Sequence, residues 1–130
     1  MPVATVGDAE TAMLEPTQER IDQFAKLTGD DNPLHVDADY ACDGLFGGGV
    51  AHGALTTDVV SAALATLPGD IVYLPQDLDF ENPVRPGETV SVTATITGDL
   101  GNDRLAVEIS AEADRNVLSG ETTILSLPHE

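Results

Sequence analysis

The sequence predicts an α+β fold in which one buried helix is wrapped by a curved antiparallel sheet of five strands. Three observations carry this. From His52 to Leu67 the chain is apolar at helical spacing, with Asp58 as its only ionised side chain. Four extended segments follow, showing strand alternation with turn residues between them. A short apolar segment, Ala12 to Leu14, lies near the N-terminus and is available to join the sheet. The 130 residues are the length of one domain, spanning 1–130, and a hydrophobic fraction of 42% is enough for a core.

In chain order, Ala12 to Leu14 reads as a strand. Pro16-Thr17 then opens a helix with Thr17 as its N-cap. Ile21, Phe24, Ala25 and Thr28 follow at helical spacing, and Gly29 stops the run. Asn32-Pro33 marks a loop, because a residue before proline is pushed out of helical backbone. Asp39 to Cys42 reads as one further turn, and Leu45 to Gly49 as irregular chain. In the long helix, Leu55, Val59, Ala63 and Leu67 form a stripe that Val60 and Leu64 widen, and Pro68-Gly69 ends it. A helix this poor in charge is expected to be buried.

Ile71 to Phe80, Thr89 to Gly98, Arg104 to Ala113 and Leu118 to Leu127 read as strands of one antiparallel meander. Alternation is clearest at Val90, Val92, Ala94 and Ile96, and again at Leu105, Val107, Ile109 and Ala111. A small sheet leaves an edge that needs covering, and a homodimer joining two edges would supply the cover.

Charge separates classes of partner. There are 23 acidic residues against 5 basic ones, a formal net charge of -18, and Lys26 is the only lysine. A small soluble domain needs a net charge of only about 2–8 in magnitude. The apolar content and clear periodicities argue against a disordered acidic protein. The sign and size instead predict a surface adapted to high salt, where a Debye length of about 3 Å screens the self-repulsion. The expected result is a melting temperature that rises from dilute buffer to molar KCl; flat melts across that range would contradict it. Four scattered arginines build no basic patch for nucleic acid or an anionic membrane surface. No apolar run is long enough to span a membrane, the N-terminus lacks the regions of a signal peptide, and Cys42 has no partner for an internal disulfide. These features point to the cytoplasm. Cys42, in Y-A-C-D-G, reads as a small packing residue, and Tyr40 and Phe46 as packing groups.

The chemistry concentrates in T-G-D-D-N-P-L-H, Thr28 to His35. Asn32-Pro33 bends the chain, so Asp30 and His35 can face one space. A carboxylate and an imidazole there suit paired proton transfer. Ala51-His52-Gly53 opens the buried helix, whose first turn carries free N–H groups and partial positive charge. A glycine at that point lets a ligand oxygen approach the backbone, as in an oxyanion hole. Ser61 lies two turns further along nearly the same face. Each piece alone has a plainer explanation: D-D-N-P as a capping turn, His35 as a structural histidine, Ser61 as a hydroxyl bonded to its own helix. Asp30, Asp31, His35 and Asp37 could also form a metal cluster, but their spacing fits no EF-hand loop or H-E-x-x-H helix.

In combination, F-A-K-L-T-G-D-D-N-P-L-H-V-D-A-D-Y-A, then L-F-G-G-G-V-A-H-G-A-L, then a helical serine and D-F-E-N-P-V-R-P-G-E-T-V, resemble the MaoC-like hydratases of the hotdog superfamily, above all the (R)-specific enoyl-CoA hydratases. Arg20 to Val92 carries the specific part. The resemblance implies a hotdog fold, a homodimer, and syn addition of water to trans-2-enoyl-CoA to give (R)-3-hydroxyacyl-CoA. It implies Asp30 and His35 as the catalytic pair holding the water, with Asp31 a variable neighbour. Gly53 would be the backbone donor to the thioester carbonyl, and Asn32, His52 and Ser61 would shape the substrate site. No metal or redox cofactor enters this chemistry; the CoA thioester is the substrate. Two departures stand out. The Gly47-Gly48-Gly49 run is richer in glycine than the pattern, which predicts a mobile loop before His52. With one lysine, the CoA phosphates are left to Arg85 or Arg20. The competing functions are a hotdog acyl-CoA thioesterase and a non-catalytic acyl-binding subunit of a larger complex. The joint presence of Asp30, His35 and His52-Gly53 favours hydration over both.

Overall fold

A computed structural model describes residues 3–128. It contains strand β1 (Ala9–Leu14), helices α1 (Gln18–Thr28), α2 (Pro33–Val36), α3 (Ala38–Cys42) and α4 (Gly53–Ala65), then strands β2 (Asp70–Phe80), β3 (Val90–Gly101), β4 (Arg104–Glu112) and β5 (Asn116–Leu127). The five strands form one antiparallel sheet packed on α4. Among the described residues, no helix is long and apolar enough to cross a membrane.

Local chemistry sets the helix ends. The Thr17 side chain accepts the Arg20 N–H, and Gly29 closes α1 in the left-handed conformation at φ 80°. Beyond it, Asn32-Pro33 starts a helix rather than continuing a loop. The Asn32 side chain accepts the Leu34 N–H, and Pro33 occupies the first helical position, where its missing N–H costs nothing. The extended residue before proline is therefore a helix cap here. In α3 only Ala41 is buried, which corrects two expectations: Cys42 and Tyr40 are exposed instead of packed. A single turn has one inward position, and Ala41 takes it.

The predicted stripe of α4 is buried. Leu55, Val59, Val60, Ala63 and Leu64 join Val90, Val92, Ala94, Ile96, Leu105, Val107, Ile109 and Ile124 in one core. The inward residues of β3 and β4 alternate as the sequence predicts. Strand order differs from a four-strand meander, however. It runs β1-β3-β4-β5-β2, so only β3, β4 and β5 are consecutive neighbours. β2 pairs with β5 at the far edge, and the chain from Glu81 to Thr89 crosses to β3. This crossing segment contains Pro83 and Pro86, which suit an extended connection and not a tight hairpin. Close approach of β2 to β5 requires Gly120: a Cβ there would lie 2.1 Å from the Asp77 carbonyl oxygen.

The crossing matters for the site. It lays Val84 beside the entry to α4, where the Val84 carbonyl accepts the Ala51 N–H at 2.7 Å. Three separate segments thus meet at the N-terminal tip of the central helix: the α1–α2 turn, the loop before His52, and the β2–β3 crossing.

Candidate active site

Asp30 is delivered by the end of α1. The Thr28 hydroxyl donates to the Phe24 carbonyl and accepts the Asp30 N–H at 3.3 Å, carrying the helix end directly into the turn. From the other side, the Gln18 amide donates to the His35 carbonyl at 2.9 Å, tying α2 back to α1. These contacts bring Asp30 and His35 to the same place although α2 begins between them.

His52 locks the arrangement. It is 1% exposed, caps α4 without a side-chain bond to that helix, and its Nε2–H donates to the Asp30 backbone carbonyl at 2.8 Å. Its ring lies between Phe24, with centroids 4.7 Å apart, and His35, stacked at 3.9 Å. The Asp30 carboxylate and one ring nitrogen from each histidine fall within 4.8 Å of one another. The His35 Nδ1 meets the Val50 carbonyl at 2.9 Å. A carbonyl only accepts, so Nδ1 carries the hydrogen, and in the neutral ring Nε2 keeps its lone pair. By the same logic the buried His52 Nδ1, which has no hydrogen-bond partner, bears the lone pair of that ring.

This group differs from the cluster of Asp30, Asp31, His35 and Asp37 weighed from sequence, since His52 joins Asp30 and His35. The rings stack with only 27° between their planes. In-plane lone pairs on such rings lie in two nearly parallel, separated planes, which disfavours their meeting at one tetrahedral ion. The arrangement suits proton handling at Asp30 and His35 better than shared coordination.

Beside the cluster opens a cavity of about 310 Å³. His35 and Gly53 both line it, together with Leu34, Phe46, Thr56, Phe80, Val84 and Val117. Gly53 is the first residue of α4, so its N–H has no intrahelical acceptor. The Phe80 ring lies against it: a Cβ on Gly53 would be 3.1 Å from Cε1. An imidazole and a helix N-terminus thus face one mostly apolar cavity, and the exposed Asp30 carboxylate lies within 4.8 Å of that imidazole without itself lining the cavity. Such a site can hold a water for proton transfer while a donor polarises a carbonyl.

Residues 3–118 match the family model of the MaoC-like domain. The chain belongs to the MaoC-like domain family. Among its relatives, the (R)-specific enoyl-CoA hydratase of Rhodospirillum rubrum is 36% identical, with 92% of this chain and 88% of the relative aligned. The 3-hydroxybutyryl-CoA dehydratase of Methylorubrum extorquens is 38% identical, over 92% of this chain and 78% of that one. The unliganded R-hydratase PhaJ1 from Pseudomonas aeruginosa superposes with a TM-score of 0.88 at 29% identity, covering 98% of this chain and 88% of its own. The architecture is that of hotdog-fold hydratases, as the sequence resemblance implies.

Within this MaoC-like chain, the sequence-derived candidates separate. Asp30, His35, His52 and Gly53 come together. Asn32 lies between them in sequence, yet its exposed side chain caps α2. Asp31 faces a different cavity, with Asp22 and Lys26. Ser61 is not among the residues lining the cavity of His35 and Gly53; its hydroxyl bonds the Tyr73 hydroxyl of β2. The two guanidinium groups considered for CoA phosphates are engaged by backbone: Arg20 donates to the Glu15 carbonyl, and Arg85 to the carbonyls of Phe46 and Gly49. Sequence reasoning missed the Val50 carbonyl, Thr56 and the wall formed by Phe80 to Val84. The last had a signal, since those residues lie within D-F-E-N-P-V-R-P-G.

Proposed function

We propose that this protein is an (R)-specific enoyl-CoA hydratase, adding water to trans-2-enoyl-CoA to give (R)-3-hydroxyacyl-CoA. The observation that carries it is the convergence of the Asp30 carboxylate on the His35 imidazole, which lines one cavity together with Gly53. Separations up to 4.8 Å let one water bridge carboxylate and imidazole. Asp30 takes a proton from that water while His35 orients it, and the oxygen adds to the β-carbon. The C=C electron pair moves onto the thioester oxygen as an enolate. The Gly53 N–H and the positive end of α4 stabilise that charge. Collapse of the enolate takes a proton onto the α-carbon from the Asp30–His35 pair, which balances the water added.

Crotonyl-CoA mixed with the protein in molar KCl tests this, following enoyl absorbance and free thiol together. Loss of absorbance without thiol is the expected result. Thiol release would indicate the thioesterase instead, and no change in either signal would overturn both.

The functional unit in this proposal is a homodimer. β2 forms one edge of the sheet, and Val72, Tyr73 and Phe80 on it are 43%, 42% and 56% exposed. An edge strand with exposed apolar side chains invites pairing with another chain. Sedimentation equilibrium should give twice the 13.5 kDa chain mass; a monomer at micromolar concentration would contradict the dimer.

A further inference from the structure

The Gly47-Gly48-Gly49 run should leave the chain before His52 loose, because glycine has the most conformational freedom to lose on ordering. Yet the next residue, Val50, must hold its carbonyl 2.9 Å from the His35 Nδ1. Something outside the run has to fix it, and the β2–β3 crossing does so from both sides. After Val50, the Ala51 N–H donates to the Val84 carbonyl. Before it, the half-buried Arg85 guanidinium donates through Nη1 to the Gly49 carbonyl at 3.3 Å and through Nη2 to the Phe46 carbonyl. The fork itself is seated, because the Arg85 N–H donates to Glu88 Oε1 at 2.7 Å and Glu88 is bridged to Arg115 at 3.6 Å. Glycine at 48 is part of the fit: a Cβ there would lie 3.2 Å from Arg85 Nη1.

We propose that Arg85 is a positioning residue for His35. It acts by clamping the glycine-rich loop so that Val50 holds the imidazole in its Nδ1–H form, and it does not act as a ligand of the CoA phosphates. Resting on the hydratase reading above, this assigns to a charged side chain the rigidity that three glycines cannot supply. Charge-assisted bonds from a planar fork to two carbonyls suit arginine, and lysine cannot reproduce them.

The test compares wild type, Arg85→Ala and Arg85→Lys on crotonyl-CoA and on crotonyl-pantetheine, which lacks the phosphates, with ¹⁵N NMR of the His35 ring in parallel. A misplaced catalytic group costs on the order of 100-fold. The expected result is therefore a fall in kcat of about 10- to 100-fold for Arg85→Ala, equal on both substrates. Arg85→Lys should recover only part of it. The His35 signals should change from a single Nδ1–H tautomer to a mixture, and added methylguanidinium should restore part of the rate to Arg85→Ala. A rise in KM confined to crotonyl-CoA would overturn the proposal in favour of a phosphate ligand. Unchanged kcat and unchanged tautomer in either folded variant would also overturn it. If wild type failed to hydrate crotonyl-CoA, the proposed function would fall, while the tautomer shift would still decide whether Arg85 sets the His35 geometry.

Discussion

Asp30→Asn and His35→Ala are each expected to lower kcat for crotonyl-CoA hydration by at least about 100-fold, with KM little changed. Asparagine keeps the shape of the Asp30 side chain but cannot take a proton. It also leaves intact the backbone carbonyl that accepts from His52. The loss should therefore report chemistry and not a collapsed turn. His35→Ala removes the imidazole and its bond to Val50, and it uncovers one face of the stacked His52 ring. His35→Gln gives a second variant that still carries a donor near that carbonyl. If Asp30 and His35 act on one water, their effects are strongly non-additive, and the double variant loses little more than the worse single one. Near-normal turnover in a folded single variant would remove that residue from the mechanism.

Gly53→Pro is expected to reduce kcat by about 100- to 1,000-fold, the usual cost of removing one oxyanion donor. Proline is well suited to the first position of a helix, where the N–H it lacks has no helical acceptor. The preceding His52, at φ -59° and ψ 136°, already has the extended backbone that proline requires before it. The substitution thus deletes one donor while the helix stays in place. Gly53→Ala is the control. Its Cβ meets the same Phe80 ring, which is 56% exposed and free to swing aside, but the N–H remains. Equal losses in the two variants would mean that crowding against Phe80, and not the missing donor, lowers the rate.

Both experiments use residues that stand out in the linear sequence, and the reason is locality. Thr17 and Gly29 end α1 through contacts within four residues, and Asn32 caps α2 two residues away. The apolar stripe of α4 repeats at helical spacing because one face of that helix meets the sheet. Such features are legible because the partner lies within one or two turns. The strand segments were legible too, but their order was not. Alternation, clear in β3 and β4, marks which face of a strand turns inward and says nothing of which strand lies beside it.

The site divides in the same way. Asp30, His35 and His52-Gly53 were recognisable as chemically capable groups in a family pattern, while the task of each depended on partners far along the chain. His52 reaches Asp30 across 22 positions, His35 reaches Val50 across 15, and Arg85 reaches Phe46 across 39. Arg85 was one of two arginines left for the CoA phosphates in a chain with a single lysine; folded, its donors meet carbonyls. Ser61 followed the right helical face from Gly53, yet β2 packs Tyr73 against it.

By itself, then, the sequence marked the strand segments, α1 with its caps, the buried helix and the acidic surface, and it singled out Asp30, His35 and Gly53 as candidates for chemistry at a helix tip. Those follow from local backbone preference and from periodic burial. Only the tertiary structure decided that β2 leaves the meander, that Arg85 meets the Phe46 and Gly49 carbonyls at the two ends of the glycine run, and that the His52 ring lies between Phe24 and His35. Each of these depends on a side chain or carbonyl brought in from another segment, and no local pattern in the chain encodes such a meeting.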